Sequence, residues 1–299
     1  MKHAYLIMAH NEPYILERLI RLIDDERNDI FLHIDKKWKD FDFNYFKDIV
    51  KKSHLYFTER LDVKWGTNKQ IKCELVLFET ASKNGKYAYY HLLSGVDLPL
   101  VNQDEIHDFF DKNLGKEFVV FDNHESISKS ALERISLYHF LVPWARSHNR
   151  FKKSFFGKFH FRSLRLMRKF NIDRTKNDSI QFRKGANWVS ITDDFVHYIL
   201  DSAKKYQKFF KYSFCADELF VQTILYNSDF YSRVFSKQND DYEGMKRLID
   251  WNRGQPYTFR EEDYDMIINS GCFFARKFST SIDKKIIDRI YEKGMKSRG

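Results

Sequence analysis

A chain of 299 residues can bury one large core, or two modest ones, without help from disulfides or metals. Hydrophobic residues at 43% and charged residues at 31% exclude a disordered chain, and no apolar run approaches the roughly 20 residues that cross a bilayer. The formal charge of +9, from 51 Lys and Arg against 42 Asp and Glu, points to an anionic partner: a nucleotide, a nucleic acid or a membrane surface.

The apolar run Ala4 to Met8 precedes no small-residue cleavage site, so it reads as a first strand rather than a signal peptide. Ala9 to Pro13 is a loop, Tyr14 to Ile23 a helix, and Ile30 to Ile34 a second strand ending at Asp35. Strand, loop, helix, strand opens an α/β fold, whose ligands sit beyond the carboxyl ends of the strands. That places Ala9, His10, Asn11 and Glu12, and His33 to Asp35, on a binding rim; the alternative for His33 and Asp35 is an ordinary strand end. No Gly-x-Gly-x-x-Gly follows the first strand and no Gly-Lys-Ser/Thr occurs, which argues against a dinucleotide fingerprint and a P-loop.

Leu55 to Thr58 is a candidate third strand, and Trp65-Gly66 a turn before a helix from about Asn68 to Ala81. Tyr87 to Leu93 reads as a buried strand followed by Ser94-Gly-Val-Asp-Leu-Pro99, where Asp97 either touches a sugar or a metal or closes the turn with its own carboxylate. Glu105 to Lys112 is helical and Lys116 to Phe121 another strand. The segment Lys129 to Lys176 then carries about a dozen basic side chains against Glu133 and Asp173 alone. Within it Leu164, Met167 and Phe170 recur at helical spacing beside Arg165, Arg168 and Lys169. Such a stretch either lies on an anionic membrane or acidic chain, or is the solvated face of an inserted helical pair.

Pattern returns with a strand over Gly185 to Ile191 and a helix over Asp193 to Tyr206. In Phe214-Cys-Ala-Asp-Glu-Leu-Phe-Val-Gln-Thr-Ile-Leu225, Asp217 and Glu218 head a run with helical apolar spacing. Two acidic residues there serve either as a first helical turn favoured by the macrodipole, or, for Glu218, as a general base at the mouth of a cleft. Arg247 to Pro256 is a polar, aromatic loop. Two cations, Arg276 and Lys277, follow a short apolar run, and a helix over Ser281 to Lys293 ends the chain. The three cysteines, Cys73, Cys215 and Cys272, are scattered and odd in number, which fits a reducing compartment and gives neither disulfide nor zinc site. No linker or repeat divides the chain, so the expectation is one domain over 1–299 with a basic helical insertion at 125–180.

An ordered series of short motifs gives these residues a common setting: His33-Ile-Asp35, Trp65-Gly66, Leu93-Ser-Gly-Val-Asp-Leu-Pro99, Gly185-Ala-Asn-Trp188, Ala216-Asp-Glu218, Asp250-Trp251 and Phe273-Phe-Ala-Arg-Lys-Phe278. In that order and spacing the chain resembles the core-2/I-branching glycosyltransferases, which include peptide O-xylosyltransferases, over nearly its whole length apart from the basic insertion. The resemblance implies a GT-A type, Rossmann-like α/β domain with a mixed, mostly parallel sheet flanked by helices. It also implies inverting transfer from a nucleotide sugar, UDP-GlcNAc or UDP-xylose, without a metal or other cofactor. Glu218 sits where the family keeps its catalytic base, and Arg276 and Lys277 where it keeps the cations on the diphosphate. Ala9, His10, Asn11, His33, Asp35 and Trp65 would surround the nucleotide. Asp97, Asn187, Trp188, Asp217 and Trp251 would lie along the donor and acceptor sugars. Asp97 occupies the place of a metal-binding Asp-x-Asp, but Ser94 and Val96 leave that pair incomplete. A further family arginine has no clear counterpart; Arg276 stands first for that role, then Arg253 and Arg260.

The family's animal members carry a transmembrane anchor and several disulfides, and this sequence shows neither. The expectation is therefore a bacterial-type cytoplasmic enzyme, acting on a surface-polysaccharide precursor at the inner face of the plasma membrane. Its partners would be a nucleotide sugar, a glycan or lipid-linked glycan acceptor, and an anionic membrane touching 129–176. Two other classes compete: a nucleic-acid or anionic-polymer binder built on the basic stretch, whose binding would fall steeply with salt, and a carbohydrate-binding module or inactive relative on the same fold.

Overall fold

The run His3–Ala9 (β1) is apolar on both faces, and both faces are covered: Ala4 and Leu6 enter one core cluster, Tyr5 and Ile7 the other. The structure, a computed structural model, describes residues 1–145, 149–176 and 178–297. After β1 come α1 (Pro13–Ile23), β2 (Asn28–Ile34), α2 (Phe43–Ile49), β3 (His54–Phe57), α3 (Lys69–Asn84), β4 (Tyr89–Ser94), β5 (Leu98–Pro99) and α4 (Gln103–Lys112). The basic segment holds α5 (Lys129–Ser136), α6 (Val142–Ala145) and α7 (Arg150–Lys169). The chain continues with β6 (Ser190–Thr192), α8 (Asp193–Phe210), α9 (Asp217–Tyr226), β7 (Arg247–Ile249), α10 (Tyr264–Ile268), β8 (Phe274–Arg276) and α11 (Lys284–Lys296).

The main sheet has the order β3-β2-β1-β4-β6, parallel except for β6, which runs antiparallel to β4. Helices α3, α8 and α9 contribute to the core on one face; α1, α4 and α11 contribute on the other. This is the mixed, mostly parallel α/β architecture expected from the sequence. A small sheet, β5-β8-β7, lies beside it. Buried Arg247 of β7 joins the two sheets, donating to the Val189 carbonyl at 2.7 Å and to Ser190 Oγ at 3.0 Å.

Register decides where the loops after β1, β2 and β4 emerge. Ala9 pairs with Ile34 and Met8 with Ser94, so β1, β2 and β4 end together and release their loops at one edge. The first and third of these loops touch: a Cβ added at Gly95 would lie 2.8 Å from that of Ala9.

Four segments differ from the sequence expectation, each for a local reason. Lys116 to Phe121 makes only isolated bridges, Glu117 to Val234 and Phe118 to Ser190, so no continuous ladder forms. Of Gly185 to Ile191 only Ser190 and Ile191 are strand, within Ser190–Thr192, because the start of the segment bonds to α9 instead: Gly185 N donates to the Glu218 carbonyl at 2.9 Å, and Gln222 Nε2 to the Ala186 carbonyl at 2.6 Å. The loop at 247–256 begins with the strand β7, whose partner β8 lies 25 residues further on. Helix α2 was not anticipated, although Asp42 caps it by accepting from Tyr45 N at 2.9 Å and Phe46 and Ile49 are spaced to be buried.

Gly185 is fixed by sterics. A Cβ there would stand 2.0 Å from the Val120 carbonyl oxygen and 2.8 Å from its carbon, both backbone atoms. Gly185→Ala is therefore expected to cost at least about 2 kcal/mol of stability, read from the denaturant midpoint. An unchanged midpoint would show that the 120 segment yields freely.

Candidate active site

Glu218 stands in the first turn of α9 with its side chain 29% exposed. The helix places it there because Leu219, Phe220, Ile224 and Leu225 bury the rest of the element. One carboxylate oxygen, Oε2, accepts from Arg134 Nη1 of α5 at 2.6 Å and lies 3.6 Å from Lys184 Nζ. The other, Oε1, has no hydrogen-bond partner among the described residues. The carboxylate is thus fixed through one oxygen and open through the other.

Its neighbour Asp217 points inward. Asp217 Oδ2 accepts from Gln70 Nε2 at 2.9 Å, and the same glutamine accepts from Gly66 N at 2.6 Å. Gly66, at φ +75°, also receives Cys215 N on its carbonyl at 3.0 Å, and Trp65 meets Phe214 edge-on. A side chain at Gly66 would collide with the Phe214 ring at 2.7 Å. So the Trp65-Gly66 turn is a seat for the entry into α9. Burial, then the charge of Glu218, pushes the Asp217 carboxyl up from 3.8 to about 7. Glu74 of α3, wholly buried, is raised by the same burial and by Asp217; the Asn187 amide approaches it without closing a hydrogen bond.

The cations lie at the end of β8. Arg276 Nε donates to Asp97 Oδ1 at 3.1 Å, and its guanidinium lies 4.4 Å from the centre of the Trp188 ring. That leaves the fork's two terminal nitrogens without hydrogen bonds among the described residues. Asp97 is itself 1% exposed and closes its turn, accepting from Ser94 N at 2.9 Å and from the Ser94 hydroxyl. Lys277 is half-buried and has no ion pair among the described residues. The next residues are tied to the rim: Phe278 N donates to the Val96 carbonyl, while Glu12 accepts from Ser279 Oγ at 2.7 Å and Thr280 Oγ1 at 2.6 Å.

On that rim, buried Asp35 donates its backbone N–H to the Ala9 carbonyl and accepts from Lys37 N at 2.8 Å and Val63 N at 3.1 Å. Buried His33 accepts from Leu61 N at 3.0 Å through Nε2, and desolvation lowers it to about 4, so it is a neutral support for the 59–66 loop. His10 and Asn11 are exposed at the rim's tip, and Trp65 is exposed at the far end of that loop. Contacts therefore link Ala9, His33, Asp35, Trp65, Asp97, Asn187, Trp188, Asp217, Glu218, Arg276 and Lys277 into one connected region. Trp251 is exposed on the turn after β7, and among the described residues no hydrogen bond or ring contact joins it to the others. Arg253 is spent on Asp250 and Asp263. Sequence reasoning missed Arg134, Lys184, Gln70 and Glu74, whereas Glu12 was placed on the rim. Lys184 abuts a recognised motif, whereas Arg134 was one cation among many.

The segment Lys184 to Trp188 carries the geometry between the two charged centres. Its first end touches Glu218 through Lys184 and Gly185; its last lies under Arg276. Four residue steps span at most roughly 14 Å, enough for a sugar joined to a diphosphate. Two cavities, of about 530 Å³ beside Ser236 to Lys246 and about 340 Å³ beside Ile127 and Arg183, are lined by none of Glu218, Arg276 and Lys277. Among the described residues, no group of three or more His, Cys, Asp or Glu could hold a metal ion.

The family model for the core-2/I-branching enzyme matches residues 3–268. The chain belongs to the core-2/I-branching enzyme family. Members of that family are glycosyltransferases. Similar curated proteins include xylosyltransferase oxt of Drosophila pseudoobscura pseudoobscura, 21% identical over 93% of this chain and 31% of that protein, and xylosyltransferase sqv-6 of Caenorhabditis elegans, 21% identical over 97% and 35%. The chain spans about a third of the length of these relatives. The crystal structure of mouse xyloside xylosyltransferase 1 in its apo form shares 9% identity at a TM-score of 0.38, covering 91% of this chain and 96% of that one. In this core-2/I-branching enzyme the family-like motifs Trp65-Gly66, Gly185 to Trp188 and Ala216 to Glu218 meet around a single helix start.

Asp217 yields a prediction with a definite sign. Its carboxyl holds a proton in the fold that the unfolded chain has lost, so its contribution to stability falls as pH rises from 3.8 to about 7. Asp217→Asn stays neutral and can still bond Gln70. The variant's melting temperature relative to the parent is expected to be higher at pH 8 than at pH 5. The same difference at both pH values would contradict a buried, proton-holding carboxyl.

Proposed function

We infer that this core-2/I-branching enzyme moves a sugar from a nucleoside-diphosphate donor to a glycan hydroxyl by one inverting displacement. The observation that carries the reading is the 184–188 segment, with a half-open carboxylate at one end and a half-free guanidinium at the other. In the reaction an acceptor hydroxyl attacks the anomeric carbon, and its proton passes to Glu218 Oε1. The bond to the diphosphate breaks on the opposite face, and negative charge grows on the leaving phosphate. Arg276 offers a planar fork and Lys277 a point charge for those oxygens, fixed before the reaction begins. Arg134 and Lys184 hold Glu218 so that it need not search for its position.

The donor class follows the family: UDP-xylose, as the names of the relatives suggest, or UDP-GlcNAc, with a surface glycan as acceptor. The Ala9 to Asn11 loop and the Asp35 edge would border the nucleotide. Transfer needs no metal in this reading, because Asp97 spends its carboxylate on Ser94 and Arg276, and the cation pair takes the place of a divalent ion.

Glu218→Gln keeps shape but cannot accept the proton, so transfer should fall by about 100-fold or more. The stabilisation of the fold by a bound nucleotide sugar should remain, seen as a rise in melting temperature. Transfer by the parent should also persist in excess EDTA. Undiminished transfer by the glutamine variant would remove Glu218 from the chemistry; strict dependence on added Mn²⁺ or Mg²⁺ would overturn the metal-free mechanism.

A further inference from the structure

Helix α7 presents a feature the transfer chemistry does not use. It carries eight Lys and Arg and no carboxylate. One side is anchored: Leu164 and Met167 are buried with Leu137, and Arg168 pairs with Glu133 of α5 at 2.8 Å. On the other side Phe151, Phe155 and Phe159 are 89%, 59% and 47% exposed, and Leu166 is 54% exposed. Residues four apart share a helix face, and Leu166 falls seven after Phe159, so the four form one stripe about 22 Å long. Lys158, Arg162, Arg165 and Lys169 are exposed along it. Among the described residues, none of these four makes an ion pair, and of the α7 cations only Arg168 does.

We propose that α7 is an in-plane arm that seats the protein on an anionic bilayer, its aromatic stripe in the headgroup boundary and its cations on the lipid phosphates. Apolar stripe and unpaired cations together match an interface with a wet, negative side and a dry one. A second copy of the chain is a poor occupant, because it would set eight cations against eight. A nucleic-acid duplex would pair the cations but leave the stripe in water. The arm is joined to the candidate site: α5 pairs with α7 through Glu133 and holds Glu218 through Arg134, so a seated arm would set the height of Glu218 above the membrane. The binding itself does not depend on the transferase reading.

Flotation of the full chain with phosphatidylcholine vesicles, with and without phosphatidylglycerol, tests it. The parent should float with the anionic vesicles only, and less at high salt. Phe151→Ser, Phe155→Ser and Phe159→Ser combined should weaken binding about ten-fold or more, and Lys158→Glu, Arg162→Glu and Arg165→Glu combined about 100-fold. All substituted positions are exposed, so both variants should keep the parent's melting temperature, which is measured alongside. Three outcomes would overturn the proposal: no flotation of the parent, binding to a DNA or RNA oligonucleotide but not to vesicles, or a dimer that the serine variant dissolves.

Discussion

The hydrogen bond from Gly185 N to the Glu218 carbonyl is the constraint on which the rest of the site depends. It fastens an irregular segment to the start of a buried helix, with charged Lys184 at one end and the Arg276 guanidinium on Trp188 at the other. Because Val120 presses against Gly185, the segment cannot shift without disturbing the core. Lys184 then falls beside Glu218 and Trp188 beneath Arg276. A carboxylate and a guanidinium are thereby held at the two ends of one segment without touching each other.

Support behind this arrangement is polar and deeply buried. Arg247 crosses between the sheets, and burial lowers it to about 10. His3, His91 and His107 form a buried cluster beneath β1 and β4, each held below its ordinary value by burial first. His91 Nδ1 lies 2.7 Å from Ser190 Oγ, and His107 Nε2 2.9 Å from Asn28 Oδ1. These contacts lock β6 and α4 to the sheet, so the loop edge rests on partners with little freedom to move. The network is satisfied in part, since His3 Nε2 and Arg247 Nε are buried without a hydrogen-bond partner among the described residues.

Much of the fold was legible because β1, β2, β4 and the long helices announce themselves by period. Residues 116–121 and 185–189 were not, since an apolar run does not reveal whether its neighbour is a strand or a helix end. For the site, adjacent carboxylates heading an apolar helix and adjacent cations closing a short strand were visible as patterns. The partners of Glu218 were not: Arg134 lies 84 residues away, and nothing in the spacing of the basic segment distinguishes it from its neighbours. Asp97 shows the same limit from the other side. Sequence left open whether it faced a ligand or closed its turn, and the structure shows it closing the turn and also holding Arg276.

A structure of the chain with a uridine diphosphate bound is the most direct measurement of the central claim. The account predicts diphosphate oxygens within hydrogen-bond distance of the Arg276 fork and Lys277, the base near Ala9 to Asn11, and the terminal phosphate directed along the 184–188 segment toward Glu218 Oε1. A nucleotide seated in the cavity beside Ser236 to Lys246, or one whose phosphates point away from Glu218, would contradict it.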